Sequence, residues 1–220
     1  MTTIKDVRDA VRPLIQRRND LISTGRFVFI KPVQHVLRGV HIDSSLDPSV
    51  FIPQVSVRLL APKAEIKSPG WGMRFRQANY GEYIRKYGWT MNKPDIIAQM
   101  LDIIEGALPA LYAIASLDDY FAYLSAMSVP EVSSTTIELF EVLIPAMKGE
   151  FDIALSLLQK NRSVAEHVDR LSPEFYPALL AGDRVEIARI LREWEAITVK
   201  TYKIEKIWER TPFPLELQDG

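Results

Sequence analysis

The apolar residues of this 220-residue chain change their spacing once, and that change limits the possible folds more than any other feature. Phe27-Val28-Phe29-Ile30 is a short, β-rich apolar run. Val36, Val40 and Ile42 then share one parity, as do Phe51, Val55, Val57 and Leu59 further on. From Asn92 onward the apolar positions recur at helical spacing instead. A period of two marks half-buried strands and a period near 3.6 marks amphipathic helices. The strand candidates are joined by short turns such as Asp43–Ser49, which favours antiparallel pairing. The expected architecture is α+β: an antiparallel sheet with an N-terminal helix, followed by an all-helical C-terminal half.

The N-terminal helix is expected over residues 3–22, with Ile4, Val7, Val11, Leu14, Ile15 and Leu21 on one face. Pro13 should kink or split it, and Gly25 should stop it. Met73-Arg74-Phe75-Arg76 offers a further strand after the Pro69-Gly70 turn. Pro94 opens a second helix whose stripe includes Ile97, Met100, Leu101 and Ile104, with Gly106 and Pro109 as interruptions. Ser116-Leu117-Asp118-Asp119 reads as a capping box with Asp in place of Glu. Further helices are expected at about 135–147, 150–160, 173–181 and 184–208. Gly149-Glu150 and Gly182-Asp183 each precede an Ile-Ala pair, and these pairs lie 34 residues apart. The spacing fits either a helical repeat of the tetratricopeptide kind or two ordinary helical hairpins. The domain division expected from this pattern is 1–90 for the sheet region and 91–220 for the helical region, packed as one unit because no Gly/Ser- or Pro-rich linker separates them.

Composition narrows the chemistry. With no cysteine, disulfides, thiolate zinc sites and cysteine nucleophiles are excluded. The N-terminus alternates acids and bases, with no apolar segment of a secretory signal behind it. The longest uncharged stretch, 106–117, is 12 residues long, short of the ~20 that span a bilayer. These features lead to the expectation of a cytoplasmic protein without membrane association. Net charge is −1 but unevenly spread: residues 1–90 hold 15 bases and 7 acids, and residues 91–220 hold 12 bases and 21 acids. The two halves either neutralise each other or leave a cationic surface for an outside partner.

None of the common nucleotide-binding, acyl-transfer or zinc-protease motifs occurs. His35 and His41 share a strand parity but stand ~20 Å apart along it, too far for one metal ion. His167 sits in a helix among Glu166, Asp169 and Arg170, where a solvated face is the default. The adjacent acids Asp118 and Asp119 point in different directions on a helix and suit its N-terminus better than catalysis. No cofactor, metal or catalytic residue is therefore assigned, and the balance leans away from an enzyme. An enzyme whose site assembles only in the fold stays open as an alternative.

The tract from Trp71 to Trp89 is the most informative. It sets Trp71, Phe75, Tyr80, Tyr83, Tyr87 and Trp89 beside Arg74, Arg76, Arg85 and Lys86. Arg74 and Arg76 share a strand parity, and Arg58 lies opposite the apolar parity of its own strand. Aromatic platforms between bases grip single-stranded nucleic acid or another polyanion; Arg and aromatic side chains also anchor protein interfaces. Alternatively, the aromatics close the core and the arginine stems pack on it.

The order of an apolar strand region, Arg74-Phe75-Arg76, a glycine-containing loop, Trp89, Ile96-Ile97, Leu108-Pro109-Ala110-Leu111, Ser116 and Leu124 resembles a widespread bacterial α+β family without assigned function. Some of its members are similar to immunity proteins of toxin systems. The resemblance covers about residues 5–125 and departs where the family often carries a doubled tryptophan and this chain has Gly88-Trp89. The resemblance implies the architecture, transfers no catalytic residue and leaves the activity open; the charge split, the basic aromatic tract and the missing catalytic motifs lead to the expectation of a non-enzymatic protein-binding module of the immunity type, with a toxin as a candidate partner. The contact residues expected for this role are Arg58, Trp71, Arg74, Arg76, Tyr80 and Trp89. The alternative is nucleic-acid or polyanion binding by the same face, and homo-oligomerisation through helix faces in 92–145 is left open.

Overall fold

The structure, a computed structural model, describes residues 2–77, 87–91, 93–127 and 134–218. Helix α1 (Ile4–Arg17) begins at a capping box, in which the Thr3 hydroxyl accepts from the Asp6 amide and the Asp6 carboxylate accepts from the Thr3 amide. Four strands follow, β1 (Leu21–Thr24), β2 (Phe27–Ile30), β3 (Val36–Ser44) and β4 (Val50–Leu59), then the short β5 (Trp89–Thr90). The sheet is antiparallel with the order β1-β2-β3-β4-β5. Leu21 pairs with Ile30, Val28 with Val40 and Phe51 with Trp89. Helices α2 (Pro94–Tyr112), α3 (Leu117–Ala126), α4 (Ser134–Lys148), α5 (Phe151–Lys160), α6 (Arg162–Leu171), α7 (Phe175–Ala181) and α8 (Arg184–Tyr202) complete the described elements, with a 3₁₀ turn at Pro214–Glu216. The α+β class and the helical C-terminal half are thus as expected. None of the described helices is long and apolar enough to cross a membrane.

Residue contacts group the chain into two compact units. The first comprises Met1–Arg58, Ser68–Ala115 and Lys203–Trp208. The second comprises Leu59–Lys67, Ser116–Tyr202 and Glu209–Gly220. The change of period near residue 92 is therefore not where the units divide: α2 belongs with the sheet. Its buried Met100, Leu101, Ile104, Leu108 and Leu111 explain why, because α2 packs on β3, β5 and α1. Val7, Val11 and Leu14 of α1 and Phe29, Val40, Ile42, Phe51 and Val57 of the strands complete this core. Burying each such side chain contributes about 1.5–3 kcal/mol.

Three local expectations are corrected. Helix α1 ends at Arg17, and Leu21 and Ile22, expected at the end of that helix, instead open the edge strand Leu21–Thr24. Gly25, expected to stop the helix, has φ +63° and turns the β1–β2 hairpin, where Thr24 pairs with Phe27. Pro13 and Pro109 sit inside helices that run on past them. Each lies near the C-terminal end of its helix, and buried neighbours on either side, Val11 and Leu14 or Leu108 and Leu111, hold the backbone helical.

The second unit packs α3 to α8 around Tyr120, Phe140, Phe175, Leu191 and Trp194. Phe175 and Trp194 stack with centroids 5.4 Å apart, and Tyr120 meets Phe140 edge-on at 5.3 Å. The capping box expected at Ser116 and Asp119 is present. His167 lies in a helix as expected, α6, and α8 ends at Tyr202 rather than 208. Gly149 and Gly182, the glycines of the 34-residue echo, both have positive φ and each joins two consecutive helices, α4 to α5 and α7 to α8.

Candidate functional site

The Trp71–Gln77 stretch extends the sheet beyond β4. The Val57 amide donates to the Trp71 carbonyl at 2.9 Å, and the Trp71 amide donates back at 2.8 Å. The Val55 amide donates to the Met73 carbonyl at 2.9 Å, and the Phe75 amide to the Pro53 carbonyl at 3.0 Å. The pairing is antiparallel, with Gln54 opposite Arg74 and Val57 opposite Trp71. It occupies the same edge of β4 that Trp89 and Thr90 pair with further along. Gln77, buried, donates from its side-chain nitrogen to the Gly88 carbonyl at 2.7 Å, so the stretch and the start of β5 are tied together.

Alternation on a strand sends Arg74 and Arg76 to one face and Trp71, Met73 and Phe75 to the other. Arg74 and Arg76 are both exposed, while Trp71 and Phe75 are half-buried. The register also puts Arg58 on the arginine face, four residues along β4 from Gln54. Arg58 is half-buried there and donates to the Ser68 hydroxyl at 3.1 Å. Arg76 lies over Tyr87, its guanidinium carbon 5.8 Å from the ring centroid, close enough for a cation–π attraction. Trp89 has a different position from the one expected. It is 1% exposed, pairs with Phe51, and its indole nitrogen has no hydrogen-bond partner, so it is a core residue and not a contact residue. Its burial came from pairing with β4, which nothing in the local sequence reports. Tyr80, also expected in the face, lies outside the described residues.

Several other cations of residues 1–90 are engaged inside the first unit. Arg17 pairs with Glu105 at 2.7 Å and Asp102 at 3.8 Å, both on α2. Arg18 meets Asp20 at 3.1 Å and Glu105 at 3.4 Å, and donates to the Tyr112 hydroxyl at 2.7 Å. The Tyr112 hydroxyl in turn donates to Asp20. The Arg18 hydrogen bonds hold the Asp20 carboxyl down at about 2, with the Tyr112 hydrogen bond adding to the effect. Burial, and then the bond to Asp20, push the Tyr112 phenol up to about 12. Arg38 donates to the Ile114 carbonyl at 3.0 Å and the Tyr112 carbonyl at 3.4 Å. Arg17, Arg18 and Arg38 are thus engaged by α2 and the residues just after it, while Arg74 and Arg76 are exposed side chains of the strand extension.

His41 is packed on Phe27 with centroids 4.5 Å apart, and burial pulls its pKa down. Among the described residues no group of three or more His, Asp or Glu side chains is placed to hold a metal ion.

Sheet and face together define an α+β protein with an arginine-bearing strand extension on its sheet unit. Compared with known proteins, the chain matches no family model, no curated protein and no solved structure.

Proposed function

We propose that this chain is a non-enzymatic protein-binding module that presents Arg74 and Arg76 to an acidic patch on a partner protein. The observation that carries the reading is that Arg74 and Arg76 are both exposed residues on a backbone stretch held to β4 by four hydrogen bonds. A pre-positioned arginine loses less freedom on binding than one on a loose loop, and its planar fork matches a carboxylate in a bidentate manner. Arg58 lies on the same face as the pair and would sit at the rim of the contact, whereas Trp71 faces the other side of the strand.

The half-burial of Trp71, Phe75 and Tyr87 and the full burial of Trp89 favour a protein over a single-stranded nucleic acid, because stacking needs exposed aromatic faces. The resemblance over residues 5–125 suggests the kind of partner, a toxin neutralised by an immunity-type protein.

The test is affinity capture from the native host with the wild-type chain and with Arg74→Ala/Arg76→Ala, with and without nuclease. A protein retained by the wild type, lost with the variant and indifferent to nuclease supports the reading. Capture that both chains share equally, or that nuclease abolishes, overturns it.

A further inference from the structure

The acidic C-terminal half contains a cationic cleft that the charge balance conceals. One face of α8 and the segment after it border an open depression of about 530 Å³, lined among others by Arg184, Arg189, Arg192 and Arg210. That volume falls within the roughly 300–1,000 Å³ of small-molecule sites. Against four guanidinium groups the lining carries one carboxylate, Glu216. Glu216 is already committed, accepting from Arg192 and from the Phe213 amide at 2.6 Å.

The four arginines are not equivalent. Arg189 is paired with Glu186 at 2.7 Å and Glu193 at 3.2 Å. Arg192 is paired with Glu216 and with the buried Glu195 at 3.2 Å. Arg184 has neutral acceptors instead: the Gln218 side-chain oxygen at 2.7 Å and the Leu215 carbonyl at 3.4 Å. Among the described residues no carboxylate pairs with Arg184 or with the exposed Arg210. Aromatic rings hold two of the groups in place: Arg184 lies 5.5 Å from the Phe151 centroid and Arg192 lies 4.6 Å from that of Phe213. The Arg192 Nε is buried without a hydrogen-bond partner.

We infer that this cleft binds the multiply charged phosphate group of a small molecule, with Arg184 and Arg210 as its principal ligands. A fixed set of guanidinium forks suits phosphate oxygens, each fork taking two. Two guanidinium groups without a carboxylate partner among the described residues, Arg184 and Arg210, match a doubly charged phosphate better than a single carboxylate. Beside the arginines lie Ala188 and Leu215 and the 81% exposed Val185, an apolar surface for the rest of the molecule. The same group can come from a soluble diphosphate or from a lipid headgroup, and the probes must separate the two.

The test is titration calorimetry at low salt with ADP and with inorganic pyrophosphate, beside sedimentation with vesicles containing phosphatidylinositol bisphosphate. Binding in any arm that Arg184→Ala/Arg210→Ala weakens by roughly tenfold or more, about 1.4 kcal/mol, supports the inference, and the responding arm names the source. Arg184 also holds Gln218, so a melting curve accompanies each variant; should the double variant unfold, Arg210→Glu alone carries the test, since Arg210 is exposed. No binding in any arm overturns the inference. So does binding that survives loss of both arginines, or binding that is abolished by Arg74→Ala/Arg76→Ala instead.

Discussion

Gly72 approaches Val55 so closely that a β-carbon on it would stand 2.1 Å from the Val55 carbonyl oxygen. This contact lets the Trp71–Gln77 stretch lie against β4, and so it places Arg74 two residues further on. A side chain at 72 would push the two backbones apart.

Gly72→Ala should therefore loosen the arginine face before it harms the rest of the sheet. The expected cost is about 1–3 kcal/mol, the usual range for forcing extra volume into a packed site. For a chain of this size that is a fall of roughly 2–4 °C in melting temperature per kcal/mol. Hydrogen exchange should show the Val55 and Val57 amides, which donate to this stretch, losing protection ahead of the amides shared by β1 and β2.

Trp89→Ala should be severe. The side chain is 1% exposed and paired with Phe51, and removing an indole from such a site costs about 3–5 kcal/mol. Chemical denaturation should show a lower midpoint with little change in slope. Trp89→Phe should be milder, because the buried indole nitrogen makes no hydrogen bond whose loss would be felt.

The Arg18–Asp20–Tyr112 network sets an acid limit. Asp20 lies below its ordinary value of 3.8, at about 2 in the folded chain. Its contribution to stability is thus complete above pH 4 and lost as pH falls toward 2. Asp20→Asn should flatten the fall in urea midpoint across that window. By carboxyl NMR, Arg18→Ala should raise the Asp20 pKa more than Tyr112→Phe does, since the hydrogen bonds from Arg18 are the larger cause.

The elements that could be read from the sequence were those whose signal is local. The strands at Phe27–Ile30 and Val50–Leu59, the cap at Ser116 and the break at Gly182 each declare themselves within a few residues. Leu21–Thr24 was hidden because Leu21 continues the helical spacing of α1, and only pairing with β2 makes it a strand. The extent of α2 was hidden because packing, not propensity, carries the helix through Gly106 and Pro109. At the candidate face, the parity of Arg74 and Arg76 was legible. The burial of Trp89 was not, since an aromatic beside bases reads the same whether it faces solvent or core. The arginine cleft gave a partial sign in the spacing of Arg184 and Arg192, eight residues apart on one helix face. Arg210 joins them through the chain's return, which no local pattern records.

The central claim is that the exposed arginines of the strand extension serve recognition and not folding. The most direct measurement is to reverse their charge, Arg74→Glu/Arg76→Glu, and record partner capture and the melting curve on the same preparation. We expect capture to vanish while the melting temperature stays within about 2 °C of wild type, as surface substitutions usually change stability by no more than about 0.5 kcal/mol. Undiminished capture, or a fall of many degrees in melting temperature, would contradict the claim and assign Arg74 and Arg76 to the fold.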